Sequence, residues 1–211
     1  SAGATVARLS RALRGFHHPA ARHPLLWDVT QVTGLRPHAH HVADKDGRRR
    51  IEHALDGFIT DVLPGLARLR HQVIHNDANG DNMVVDPANR NRVAGVIDFG
   101  DMIHTVLAAD AAVTAADLTK YADDLLDPIA QIAAGYDSAN PLEEDEIDVL
   151  YDLMAARYAL TLVIIAWRNS QPEGPRYLEE LEAPFHRALE RFLSHGRHAV
   201  RRRLRDACRF P

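Results

Sequence analysis

Two stretches decide the reading of this chain: Val73-Ile74-His75-Asn76-Asp77-Ala78-Asn79-Gly80-Asp81-Asn82-Met83-Val84-Val85, and Gly95-Val96-Ile97-Asp98-Phe99-Gly100-Asp101. The first is a polar loop held between two short apolar runs. Val73-Ile74 and Met83-Val84-Val85 read as strands, and Asp86-Pro87 marks a turn. Val93 to Ile97 reads as a third strand that ends on an acidic residue at a glycine turn. A hairpin from Met83 to Ile97 brings Asn82 and Asp98 together. Two hard oxygen donors so placed suit Mg²⁺, which commonly shares its coordination with phosphate oxygens.

Working outward, the rest of the chain reads as helix. Val6, Leu9, Leu13 and Phe16 form a helical stripe ended by Gly15. His17 to Pro24 reads as loop, and Trp27-Asp28 opens a short helix that stops at Gly34. Pro37 to Gly47 reads as irregular. A long helix is expected from about Arg49 to Leu69, with Pro64 as a kink or division. Further helices are expected at Ala108–Leu118, Pro128–Tyr136, Glu143–Trp167 and Arg176 to about Arg205, with Asn140 capping the start at Pro141. The fold class is mainly α with a small β-hairpin element (α+β), and residues 1–211 make one domain. The polar loops occupy 73–101 and a helical part occupies 107–205.

The chain has 211 residues, 46% of them hydrophobic, and a formal net charge of -4. That balance argues against a nucleic-acid footprint, which needs a strongly basic face. The run Arg201-Arg202-Arg203 is read as a charged helix end rather than a nucleic-acid or lipid patch. No run of about 18 to 20 apolar residues is apparent, so no membrane span is expected. Cys208 stands alone, which leaves no disulfide within the chain and points to a reducing, cytoplasmic setting. The cluster His38-Ala39-His40-His41, like His17-His18 with His23, lacks cysteine or a spaced carboxylate and is read as solvated loop rather than zinc site.

The pattern H-x-D-x-x-x-x-N followed by D-F-G resembles the catalytic core of protein kinases. It is more similar to that of the aminoglycoside phosphotransferase-like small-molecule kinases. The wording His75-Asn76-Asp77-Ala78-Asn79 and Val96-Ile97-Asp98-Phe99-Gly100-Asp101-Met102 resembles the hydroxylysine kinase and homoserine-kinase-II-like branch. Trp27-Asp28, Gly135-Tyr136 with Pro141-Leu142, and Arg157 extend the likeness. The resemblance implies the C-terminal lobe of a protein-kinase-like fold, with ATP and Mg²⁺ as cofactors. It implies that Asp77 is the catalytic base and that Asn82 and Asp98 hold Mg²⁺ against the nucleotide phosphates. His75 is expected to support the loop. Asn79 and Asp101 are candidates for substrate or outer metal contacts. Arg157 is a candidate for a substrate carboxylate or an internal salt bridge. Trp27, Tyr136, Tyr158 and Trp167 are candidates to line a pocket for a cationic amine, with core packing expected for most of them. Asp117, Asp123 and Asp124, or Glu143 to Glu146, are candidates to attract an amine, with exposed helix-end charges as the expected reading.

The chain departs from the pattern in one respect. It contains no G-x-G, and its two lysines, Lys45 and Lys120, do not fall on a strand ahead of the polar loops. The expectation is therefore a C-terminal lobe whose N-terminal β lobe is absent, opening at an interior cut point. Such a fragment is expected to be inactive alone and to self-associate through the apolar surface that the other lobe covers. A fused downstream domain is a further expected partner, since some of the branch carry a class III aminotransferase. The expected function is transfer of the ATP γ-phosphate to a hydroxyl of a small amino alcohol or hydroxy amino acid. The alternatives are a non-catalytic kinase-like ligand-binding or docking module, and an aminoglycoside O-phosphotransferase.

Overall fold

A computed structural model describes residues 1–172 and 179–209. Eight α-helices are found among these residues: α1 (Ala2–Leu13), α2 (Val32–Leu35), α3 (Lys45–Gly57), α4 (Ala108–Thr119), α5 (Leu126–Ala139), α6 (Glu144–Asn169), α7 (Glu179–His195) and α8 (Arg197–Ala207). Four short strands make two separate antiparallel ribbons. β1 (His71–Ile74) pairs with β4 (Ile103–Val106), and β2 (Met83–Asp86) pairs with β3 (Asn89–Val96). The mainly helical α+β expectation holds.

The core is built on α6. Its residues from Leu150 to Ala166 are buried without a break, which removes any amphipathic stripe. By length and composition α6 is apolar enough to cross a membrane, contrary to the sequence expectation. Its most apolar window is 83% buried against the protein, so here that hydropathy marks a central core helix. The start of α6 is fixed by a capping box in which the Glu143 N–H donates to Glu146 Oε2 at 2.9 Å. Asn140 does not cap it; it ends α5 instead. Tyr136 and Tyr158 are fully buried.

Around α6 pack α3, α4, α7 and α8. Helices α1 and α5 cross so closely that a Cβ on Gly3 would lie 2.0 Å from the Ile132 carbonyl oxygen. The expected helix from Arg49 to Leu69 divides in three. It begins earlier, at Lys45, because Asp44 accepts hydrogen bonds from the N–H groups of Asp46 and Gly47 at 3.2 and 2.7 Å. It gives way to a π turn at Phe58–Val62 and then a 3-10 stretch at Leu63–Arg68. Pro64 lies at that junction: it has no N–H to donate and its ring obstructs the preceding turn. Arg36–His41, expected to be irregular, forms a 3-10 turn. The short helix after Asp28 is a 3-10 turn, Val29–Gln31, running into α2. The last expected helix breaks at Gly196, whose φ of 76° lies in the left-handed region. Its expected start at Arg176 lies outside the described residues.

The arginine-rich end is neutralised. Arg205 Nε and Nη2 donate to Asp148 at 2.7 and 2.8 Å, Arg201 pairs with the same carboxylate, and Arg203 pairs with Asp127 at 2.7 Å. Those pairs staple α8 to α5 and α6.

Candidate active site

The hairpin delivers its loops to one place. Ile97 N donates to Asn82 O at 3.0 Å, which ties the end of the first loop to the start of the second. Asp98 takes a left-handed backbone, φ 59°, and its Oδ1 accepts from Gly100 N at 3.1 Å. Asn76 takes the same region, φ 63°. Short polar side chains tolerate that conformation better than bulky ones, which suits Asn and Asp at these two corners.

Asp77 stands at the centre. Its Oδ1 accepts from Asn79 Nδ2 at 3.0 Å and faces Arg157 Nη2 at 3.4 Å; its Oδ2 accepts from Asn82 Nδ2 at 2.8 Å. Both oxygens are thus aimed by neighbours. Burial raises the carboxyl above its ordinary range, and the Arg157 guanidinium pulls it back. Asn79 braces the loop further, since its Oδ1 accepts from the N–H groups of Asp81 and Asn82 at 2.9 and 3.0 Å. His75 is fully buried between the loops: Nδ1 accepts from Asp77 N at 3.3 Å, and Nε2 donates to Ile97 O at 3.1 Å. That pair of bonds assigns the tautomer, and the ring meets Phe99 edge-on at 5.0 Å.

Helix α4 holds the loop from behind, through two residues seven apart and so on one face. Asp110 is fully buried; its Oδ1 accepts from Asn76 N at 3.1 Å and its Oδ2 from Ser10 Oγ at 2.5 Å. Asp117 Oδ1 accepts from Gly80 N at 3.0 Å, and its Oδ2 accepts from Lys120 Nζ at 2.8 Å. Asp117 is therefore not an exposed helix-end charge, whereas Asp123 is almost wholly exposed. The i, i+7 spacing on an alanine-rich helix was the available signal for Asp110 and Asp117. Asp28 is likewise buried, where it accepts from Thr105 Oγ1 at 3.1 Å.

The loops open onto a cleft of about 580 Å³. Six carboxylates line it: Asp77, Asp81, Asp98, Asp101, Asp117 and Glu180. Asn79 and Asn82 lie among them, and Trp27, Tyr121, Leu181 and Phe185 form an apolar wall. Trp27 is thus a cleft residue rather than a core one. Its ring lies under two guanidinium groups, Arg157 at 5.2 Å and Arg168 at 5.7 Å. Arg157 Nη1 donates to the Trp27 carbonyl at 2.7 Å.

The donor set fits a magnesium ion shared with phosphate. Asn82 spends its Nδ2 on Asp77, at the carbonyl and at Oδ2, which leaves Oδ1 as the atom that would face a metal. Asp98 supplies carboxylate oxygen on the same cleft wall. Among the described residues, no group of three or more His, Cys, Asp or Glu could hold a metal by itself. An all-protein cage is thus not what these residues offer, and Mg²⁺ bound by one or two side chains takes its remaining ligands from water and phosphate.

A family model described as "Phosphotransferase enzyme family" matches residues 1–147, more than half of the chain. The chain belongs to that family. It is 27% identical over 208 residues to the hydroxylysine kinase of Danio rerio, covering 95% of this chain and 59% of that relative. It is 26% identical over 209 residues to the hydroxylysine kinase of Mus musculus, covering 94% and 56%. Among solved structures, a microcompartment-associated aminopropanol kinase superposes with a TM-score of 0.65 at 23% identity, over 92% of this chain and 61% of that one. That likeness is one of fold. The chain spans less than three-fifths of the length of these two curated relatives. The phosphotransferase family and the kinase-like fold expected from the two loops are thereby established.

Proposed function

We propose that this chain carries the acceptor and metal half of a kinase that moves the γ-phosphate of ATP to a hydroxyl of a small amino alcohol or hydroxy amino acid. One observation carries the reading: Asp77 stands in the cleft with both oxygens oriented, Oδ2 by Asn82 and Oδ1 by Asn79 and Arg157. A substrate hydroxyl that donates to Asp77 has its oxygen fixed for attack. As the new O–P bond forms and the bond from γ-phosphorus to the ADP oxygen breaks, the hydroxyl proton passes to Asp77. Burial raises the Asp77 carboxyl, which makes it a better proton acceptor than an ordinary aspartate. Mg²⁺ held by Asn82 and Asp98 would supply charge neutralisation at the phosphates. His75, Asn79, Asp110 and Asp117 keep the loop in register by the bonds described above. The acidic cleft suits a cationic amine, and relatives named hydroxylysine kinase and aminopropanol kinase support that class.

Asp77→Asn in the full-length protein tests the reading. The expected result is loss of ATP-dependent phosphorylation, measured over hydroxylysine, homoserine, ethanolamine and aminoglycosides, with an unchanged circular dichroism spectrum. Wild-type turnover by the variant would remove Asp77 as the base. A full-length protein that phosphorylates none of these acceptors would favour the ligand-binding module instead.

A further inference from the structure

The acidic lining of the cleft is interrupted at one corner. Among the described residues that line the cleft, Arg157 is the only guanidinium or ammonium group, and it is 7% exposed. A guanidinium has five N–H donors in a planar fork. Described partners account for one bond to the Trp27 carbonyl and one to Asp77, so donors remain. One helical turn along α6, and so on the same face, stands Thr161. It is 4% exposed and lines the same cleft, and among the described residues its Oγ1 has no hydrogen-bond partner. A hydroxyl buried without a partner is destabilising, because it has given up water and gained nothing. A ligand group that accepts hydrogen bonds would remove that cost.

The rest of the cleft offers the opposite chemistry. Asp101 and Glu180 line it and accept no hydrogen bond from another described residue. Acceptors on one side, with a buried cation and a free hydroxyl on the other, form a complement to a zwitterion. A plain amino alcohol would fill the acidic side and leave Arg157 and Thr161 unanswered.

We propose that Arg157 and Thr161 form a carboxylate-binding corner that makes the acceptor a hydroxylated amino acid rather than an amino alcohol. The guanidinium and the Thr161 hydroxyl donate to the carboxylate, Asp101 and Glu180 receive the ammonium, and the side-chain hydroxyl reaches Asp77. Arg157 then serves two carboxylates, its own base and the substrate's, and is a specificity-determining residue. The inference rests on the phosphotransferase reading for where the substrate hydroxyl goes.

Isothermal titration calorimetry on this chain tests it without turnover. The probes are homoserine and 3-aminopropan-1-ol, which share hydroxyl and amine and differ in the carboxylate. Homoserine is expected to bind about tenfold or more tighter. Thr161→Val is expected to weaken homoserine several-fold and to leave aminopropanol affinity within about twofold. Arg157→Gln, which also touches Asp77, is expected to weaken homoserine more than aminopropanol, with melting curves checking the fold. Equal affinity for both probes, or equal weakening of both by the two substitutions, would overturn the carboxylate corner. Phosphorylation of amino alcohols by the full-length protein would then still uphold the kinase. Binding of neither probe would count against both readings.

Discussion

Asp77 is pulled two ways: burial raises its carboxyl, and Arg157 lowers it. Removing the guanidinium therefore removes the force that favours the ionised form. In an assay of the proposed phosphoryl transfer, Arg157→Met is expected to move the acidic limb of the kcat/KM profile to higher pH, in addition to lowering its plateau. A pH–rate series in buffers of constant ionic strength checks this, and an unmoved limb would show that Arg157 does not act on the base. Asp110 is a different case, since it touches no solvent and ties the loop to α1 through Asn76 N and Ser10 Oγ. Asp110→Ala leaves the buried Asn76 N–H without its acceptor and is expected to cost about 1–3 kcal/mol in denaturant unfolding. Asp110→Asn keeps an oxygen for that N–H and is expected to cost less. Burial also raises the Asp110 carboxyl, so the folded state holds its proton more tightly than the unfolded chain does. Its contribution to stability is greatest in acid and declines as the pH rises from about 4 through the folded value. Asp110→Asn is expected to flatten that decline.

At the scale of elements, the joint between α6 and α8 is electrostatic as well as apolar. The hydrogen bonds from Arg205, with Arg201 beside it, hold the Asp148 carboxyl below the ordinary carboxylate range. The stability this adds is present above about pH 4 and is lost as the pH falls through the depressed folded value. Asp148→Asn is expected to lower the melting temperature at neutral pH, with a cost on the order of 1 kcal/mol that shrinks in high salt. Equal melting of variant and parent in low salt would mean that the Asp148 pairs do not help to hold the helix. Element boundaries were legible where local chemistry set them. The alanine-rich α4 and the β2–β3 hairpin lie within a few residues of their expected positions. β4 was not foreseen: Ile103-His104-Thr105-Val106 is too short to announce itself, and its identity comes from pairing with β1 across the polar loops. The break at Gly196 was passed over because a glycine in a helical pattern is decided by what packs on either side.

At the scale of the molecule, apolar side chains remain uncovered beside the cleft. Val84, Val85, Ile97 and Phe99 are each between 45% and 50% exposed on the β2–β3 hairpin and the loop after it. Exposed large apolar side chains favour association in water. The 211-residue chain is expected to self-associate as its concentration rises, and Val85→Lys to reduce that, both read by light scattering. A single monomeric species throughout would overturn the expectation. What the sequence by itself determined is the two-loop motif and the family it marks: His75, Asp77, Asn82 and Asp98 fall within 24 residues, and a hairpin suffices to bring such near neighbours together. What only the tertiary structure decided is everything that faces them from afar. Arg157 and Trp27 were legible only through the family likeness, Thr161 sits on a helix that sequence shows as apolar, and Asp110 and Asp117 offer no more than a seven-residue spacing on an alanine-rich helix. Those residues matter because packing α6 and α4 against the loops turns one face of each toward Asp77, and no local pattern records which face that is.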